Sequence, residues 1–162
     1  MVAEVHYTGG SRAQMTAWLG RDLAYRPQTE GDLGTRLDHA FAAAFDTGAQ
    51  AVIIMGSDCP DLTAQVLTRA FDRLAHNDIV LGPAGDGGYY LIGLQRRTPE
   101  LFADIPWGTD AVLDLTADRA RQLGLQMAML ETLADVDRPE DLKCAAALLA
   151  EQPLVWAQRG DR

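Results

Sequence analysis

Lysine is nearly absent from this chain: of 14 basic residues only Lys143 is a lysine, and the rest are arginines. They are outnumbered by 23 aspartates and glutamates, which leaves a net charge of −9. That balance argues against a nucleic-acid partner, which needs a basic face. Cysteine is scarce as well. Cys59 and Cys144 lie far apart and form neither a disulfide framework nor a metal-ligand spacing. No apolar run approaches the roughly 20 residues of a membrane-spanning helix. The opening Met1–Tyr7 also lacks the basic-then-apolar pattern of a secretory leader. Together these absences predict a cytoplasmic protein with no membrane association.

What is present is ordinary globular material. A length of 162 residues, 48% of them hydrophobic and 23% charged, suits one domain over 1–162 with a core of its own. Val2–Thr8 alternates weakly and reads as a strand, and Ser11 is placed to cap a helix over Arg12–Leu19. Pro27 keeps Tyr25–Gln28 extended. Leu33, Leu37, Phe41, Ala44 and Phe45 recur at helical spacing, with Gly48 placed to end that helix. Ala51–Met55 is a short apolar run, the pattern of a strand covered on both faces.

A third helix follows through Leu62, Val66, Leu67, Ala70, Phe71 and Leu74. Strands are expected at Asp78–Leu81, Tyr89–Leu94 and Gln126–Leu130, and further helices near Asp110–Leu123 and Pro139–Ala150. Alternation of this kind predicts an α/β fold with a mainly parallel sheet. No repeat, low-complexity tract or linker divides it.

Four segments carry polar groups where chemistry could sit. Gly56-Ser57-Asp58-Cys59-Pro60-Asp61 joins a strand to a helix, the junction where open α/β sheets bind ligands. Asp58 there suits a hard cation, while Asp61 suits helix capping. Gly85-Asp86-Gly87-Gly88 allows a ligand to approach the backbone closely, and equally reads as a hairpin turn. In Gly31-Asp32-Leu33-Gly34-Thr35-Arg36 the helix start could take an anion and Arg36 a phosphate; Asp32 could as well be a cap. Asp135-Val136-Asp137-Arg138-Pro139-Glu140 has the form of a capping box, with Pro139 in the first turn. His6, His39 and His76 share no spacing, and Cys59 has no histidine partner suggested by sequence.

Taken in order, Gln28–Leu37, Gly56–Leu62, Leu81–Leu94, Trp107–Thr116 and Asp135–Leu142 resemble a bacterial GT-A-like family. Its members are described as arsenosugar-biosynthesis-type glycosyltransferases, within the nucleotide-diphospho-sugar transferase superfamily. The most specific segments are Gly82–Leu94 and Ser57–Leu62. The resemblance implies a three-layer α/β/α sandwich with a mixed sheet, and places Asp58 at a metal-bound nucleotide diphosphate. Asp86 becomes its metal-binding partner, because the run is Asp-Cys-Pro-Asp rather than Asp-X-Asp. Gly87 and Gly88 would leave room for donor or acceptor, and Ser57, Gly31, Asp32, Gly34 and Arg36 are the further binding candidates. Trp107 and Thr109 match a Trp-X-Thr segment at the acceptor pocket. The family pattern opens with one more strand and a Lys-bearing loop, whereas this chain opens in what resembles the second strand.

The function these features predict is a glycosyltransferase dependent on Mg²⁺ or Mn²⁺, using a nucleotide-sugar donor and a small-molecule acceptor. A nucleotidyltransferase of the same superfamily is the alternative. A non-catalytic binding protein, assembled as a homo-oligomer across an exposed sheet edge, is a third reading.

Overall fold

A computed structural model of the chain describes residues 2–134. The expected helix at 139–150, and Asp135 and Asp137 with it, lie outside the described residues. No described helix is long and apolar enough to cross a membrane.

The chain begins with β1 (Glu4–Tyr7), α1 (Arg12–Leu19) and β2 (Ala24–Pro27). Ser11 caps α1, its side chain accepting from the Gln14 amide. The two strands pair in parallel as a sheet of their own. Tyr25 is buried and donates to the Gly20 carbonyl at 2.8 Å. Across the pair, Arg26 binds Glu4. That hydrogen bond, against a small opposing cost of burial, holds the Glu4 carboxyl below its ordinary range. Among the described residues, none of this unit enters either hydrophobic core cluster.

The remaining described residues build around a four-stranded sheet in the order β3-β5-β4-β6. These strands are β3 (Val52–Met55), β4 (Ile79–Pro83), β5 (Tyr89–Leu94) and β6 (Met127–Met129). Pairing is antiparallel on both sides of β5 and parallel between β4 and β6. Thus β3, β4 and β6 run one way, with β5 against them, and the sheet is mixed.

Helices α2 (Leu33–Asp46) and α4 (Val112–Gln122) cover one face, and α3 (Ala64–Leu74) covers the other. Phe41, fully buried on α2, stacks against Phe45 and Phe102 and meets Ile79, Leu81, Ile92 and Leu94 in the first core. Val66, Ala70 and Leu74 of α3 meet Val80 and Leu91 in the second. The result is the three-layer arrangement.

Two sequence expectations need correction. Ala51–Met55 was expected to be covered on both faces, but among the described residues β3 is an edge strand. Val52, Ile53 and Ile54 are only half-buried and Met55 is half-exposed, whereas β4 is buried throughout. A short apolar run does not distinguish the two positions, because β4 and β5 supply the central layer instead. The expected cap at Asp61 belongs to Thr63, whose side chain accepts from the Val66 amide. A 3₁₀ turn at Pro99–Phe102 was not anticipated; it delivers Leu101 and Phe102 to the core.

Candidate active site

Two turns meet at one end of the sheet because β3 and β4 flank β5 and both point there. The first follows β3. The Gly56 amide donates to the Tyr90 carbonyl at 2.9 Å, carrying the chain one step past the last β3 pair. Ser57 and Asp58 are exposed beyond it, and Asp58 Oδ1 folds back over Gly56, 2.5 Å from where a β-carbon would stand. Buried Cys59 anchors this loop, its thiol donating to the Ala134 carbonyl at 3.2 Å.

The second turn joins β4 to β5. The Ala84 amide donates to the Gly88 carbonyl at 3.0 Å, closing a hairpin turn. Asp86 is exposed, and its Oδ1 accepts from the Gly88 amide at 2.8 Å. Gly87 has φ +88°, a left-handed conformation that favours glycine. A β-carbon there would overlap the main chain of Asp110. The hairpin reading and the exposed carboxylate therefore hold together: the turn presents Asp86 outward.

A third segment lies against the second. Trp107 is half-buried, its ring edge-on to Tyr89 with centroids 6.4 Å apart. Thr109 is exposed and spends its hydroxyl on the Pro106 carbonyl at 2.8 Å. The Leu113 amide donates to the Gly87 carbonyl at 2.9 Å, tying the start of α4 to the hairpin.

The start of α2 reaches the same region through Trp107. Gly34 is buried there, and a β-carbon on it would stand 2.7 Å from Trp107 Nε1. Asp32 caps α2, accepting from the Thr35 hydroxyl at 2.6 Å and amide at 2.8 Å. These bonds hold its carboxyl below the ordinary range. Arg36 donates to the Gly31 carbonyl at 3.0 Å and to Gln28 Oε1 at 3.5 Å. Asp32 and Arg36 are thus engaged in shaping their own loop. Asp58, Asp86, Gly87 and Gly88 gather at one sheet end, with Trp107 linking them to Gly34.

Sequence reasoning missed Asp110, Tyr89 and Tyr90. Tyr90 donates to the Glu131 carbonyl at 3.2 Å, and Glu131 pairs with Arg69. Burial, reinforced by Glu131 and Cys59, pushes the Tyr90 phenol up to about 12. Tyr89 Oη is buried and faces Thr116 of α4 without reaching hydrogen-bonding geometry. The only local signal for these residues is that a Tyr-Tyr pair follows the two glycines.

Among the described residues, no three His, Cys, Asp or Glu side chains cluster as a metal site. Mg²⁺ is commonly held by one or two carboxylates together with substrate phosphates. Asp58 and Asp86, two exposed carboxylates on turns at the ends of strands flanking β5, are the hard-oxygen donors that could hold such a cation.

Comparison with known proteins adds three findings. The profile of a family described as uncharacterized proteins conserved in bacteria, DUF2064, matches residues 1–109. A phosphoenolpyruvate guanylyltransferase from Chloroflexus aggregans is 32% identical over 130 residues, 76% of this chain and 62% of that protein. The chain therefore spans less than two thirds of this curated relative. A crystal structure of a candidate nucleotide-diphospho-sugar transferase from Desulfovibrio desulfuricans G20 superposes with a TM-score of 0.79 at 34% identity. That match covers 92% of this chain and 74% of the other.

Proposed function

The chain belongs to the DUF2064 family of bacterial proteins, and on that premise we propose that it is a metal-dependent glycosyltransferase using a nucleotide-diphospho-sugar donor. Its α/β fold with a mixed sheet matches that of the D. desulfuricans protein. The observation that carries the proposal is the placement of Asp58 and Asp86 on adjoining turns at one sheet end. The resemblance of Ser57–Leu62 and Gly82–Leu94 to the arsenosugar-biosynthesis-type glycosyltransferases supports the same reading.

In this reading Asp58 and Asp86 would supply the oxygen ligands, and Gly88, where a β-carbon would meet the Asp86 carboxylate, leaves room beside it. Trp107 walls the acceptor side, and the α2 start, with Gly34 against that wall, lies beside the donor. A Mg²⁺ or Mn²⁺ held there would supply charge neutralisation for the departing nucleoside diphosphate. The acceptor hydroxyl forms its new bond to the anomeric carbon as the bond from that carbon to the diphosphate breaks, and the hydroxyl proton is released to solvent.

A second reading has its own support in the guanylyltransferase relative. There a phosphate oxygen of the acceptor attacks the α-phosphorus of a nucleoside triphosphate and pyrophosphate leaves. Thermal melts with nucleoside diphosphates, sugar nucleotides and triphosphates, each with and without Mn²⁺, separate the two. Ligand at about 100 times its dissociation constant adds roughly 2.7 kcal/mol, several degrees for a domain of this size. A Mn²⁺-dependent shift with a sugar nucleotide, followed by release of nucleoside diphosphate, is the expected result. A shift only with GTP, followed by pyrophosphate release, transfers the assignment to the second reading. No shift from a chain that melts cooperatively removes both.

A further inference from the structure

Strand alternation between β4 and β5 is broken at one point, beside the turn that carries Asp86. Gly82 pairs with Leu91 and Pro83 pairs with Tyr89, so Tyr90 is the extra residue of a β-bulge. Tyr90 and Leu91 consequently both enter the α3-side core, while Tyr89 turns to the opposite face and packs with the α2/α4-side core. Regular alternation from Leu91 would have sent Tyr89 to the α3 side. Gly82 makes the bulge sterically feasible, since a β-carbon there would overlap the Tyr90 ring. Bulges beside functional sites commonly re-aim a side chain in this way.

The re-aimed ring of Tyr89 meets Trp107 edge-on at 6.4 Å and an interplanar angle of 84°. Its buried hydroxyl faces Thr116, which is itself fully buried. Burial drives the phenol well above its ordinary range, so Tyr89 is unsuited to proton transfer near neutral pH and its ring is what matters. One residue earlier, the Gly88 amide makes the 2.8 Å bond to Asp86 Oδ1. Two residues earlier, the Gly87 carbonyl is tied to Leu113 of α4.

We propose that Tyr89 is a positioning residue for Asp86: its ring, wedged between Trp107 and Thr116, fixes the Gly87–Gly88 main chain that holds the carboxylate. The inference relies on the proposed function only for the importance of Asp86; the positioning itself is read from the Gly88 amide.

The test compares Tyr89→Phe, Tyr89→Leu and, as a stability control, Leu101→Ala, which truncates a fully buried side chain in the same core. Amide exchange at Gly88 is followed by NMR in each folded variant, and Mn²⁺ affinity is measured with nucleoside diphosphate present. Tyr89→Phe keeps the ring and is expected to retain both wild-type values. Tyr89→Leu is expected to accelerate Gly88 exchange by about tenfold, a local opening, and to weaken Mn²⁺ binding. Leu101→Ala is expected to lower the melting temperature without that local acceleration.

Unchanged Gly88 exchange in Tyr89→Leu overturns the proposal, as does equal acceleration in Leu101→Ala. If Tyr89→Leu does not fold, Trp107→Leu removes the other side of the ring contact and is judged by the same Gly88 readout. Accelerated exchange in an otherwise folded variant, with Mn²⁺ affinity insensitive even to Asp86→Asn, supports the positioning and counts against the metal reading alone.

Discussion

Gly87 lies directly against the main chain of Asp110, with the Asp110 Cα only 2.6 Å from the position a β-carbon on Gly87 would occupy. Backbone cannot retreat as a flexible side chain can, and φ at Gly87 is +88°. Gly87→Ala is therefore expected to lose at least about 1–2 kcal/mol from the backbone conformation alone, with the overlap adding to it. Urea unfolding measures the loss. Gly88→Ala makes the contrast: the nearest atoms to its β-carbon would be those of the Asp86 carboxylate, from 3.1 Å. Its stability should stay near that of the parent, while any Asp86-dependent binding falls.

Asp58→Asn and Asp86→Asn address the chemistry. Each is expected to keep the parent's melting temperature within a degree or two without ligand, since both side chains are exposed and exposed substitutions usually change stability by no more than about 0.5 kcal/mol. Each should abolish most of the Mn²⁺-dependent shift given by the preferred nucleotide. If both variants retain the full shift, the two carboxylates are not the cation's ligands.

The core prediction concerns Phe41. It is fully buried, and its ring centroid lies 6.2 Å from that of Phe45 and 5.8 Å from that of Phe102. Truncation leaves a cavity between α2 and the sheet that backbone packing cannot close. Phe41→Ala is expected to cost about 3–5 kcal/mol, read as a lower denaturant midpoint.

High pH should act through Tyr90. Burial, with Glu131 and Cys59 nearby, raises its phenol from about 10 in the unfolded chain to about 12 in the folded one. Between these values the folded chain keeps a proton the unfolded chain has lost, so stability falls as pH rises. This contribution is complete below about pH 10 and has drained away above about pH 12. Melting temperature followed from pH 9 to 12 should therefore drop less steeply for Tyr90→Phe than for the parent. Parallel curves would show that Tyr90 is not the group responsible.

Much of the layer architecture was legible because it rests on local periodicity. The apolar stripe through Leu37, Phe41 and Phe45 specified α2, and the α3 stripe through Val66, Ala70 and Leu74 was equally plain. Strand order was less accessible. Ala51–Met55 and Asp78–Leu81 look alike as apolar runs, and only long-range pairing puts the first at an edge and the second in the middle of the described sheet. At the site, Asp58 could be singled out at a strand-to-helix junction, whereas the turn of Asp86 reads equally as a plain hairpin and only the family resemblance set it beside Asp58. Tyr89 could not be singled out, since the bulge that aims it arises from the pairing of Gly82 with Leu91, a relation between strands. Asp110 escaped notice for the same reason: what marks it is the proximity of Gly87.

The separation of the β1–α1–β2 unit from both cores has a thermodynamic consequence. Two paired strands and a helix with no buried residue have little apolar area to resist opening, and two-stranded sheets are marginal by themselves. Amides of Val5–Tyr7 and Tyr25–Arg26 should exchange through a sub-global opening at a fraction of the free energy that protects Val80, Leu81 and Ile92. Limited proteolysis would then cut first within this N-terminal unit, while the four-stranded sheet with its two turns stays folded. A melting curve reporting on Trp18, in α1, would come apart at a lower temperature than one reporting on Trp107.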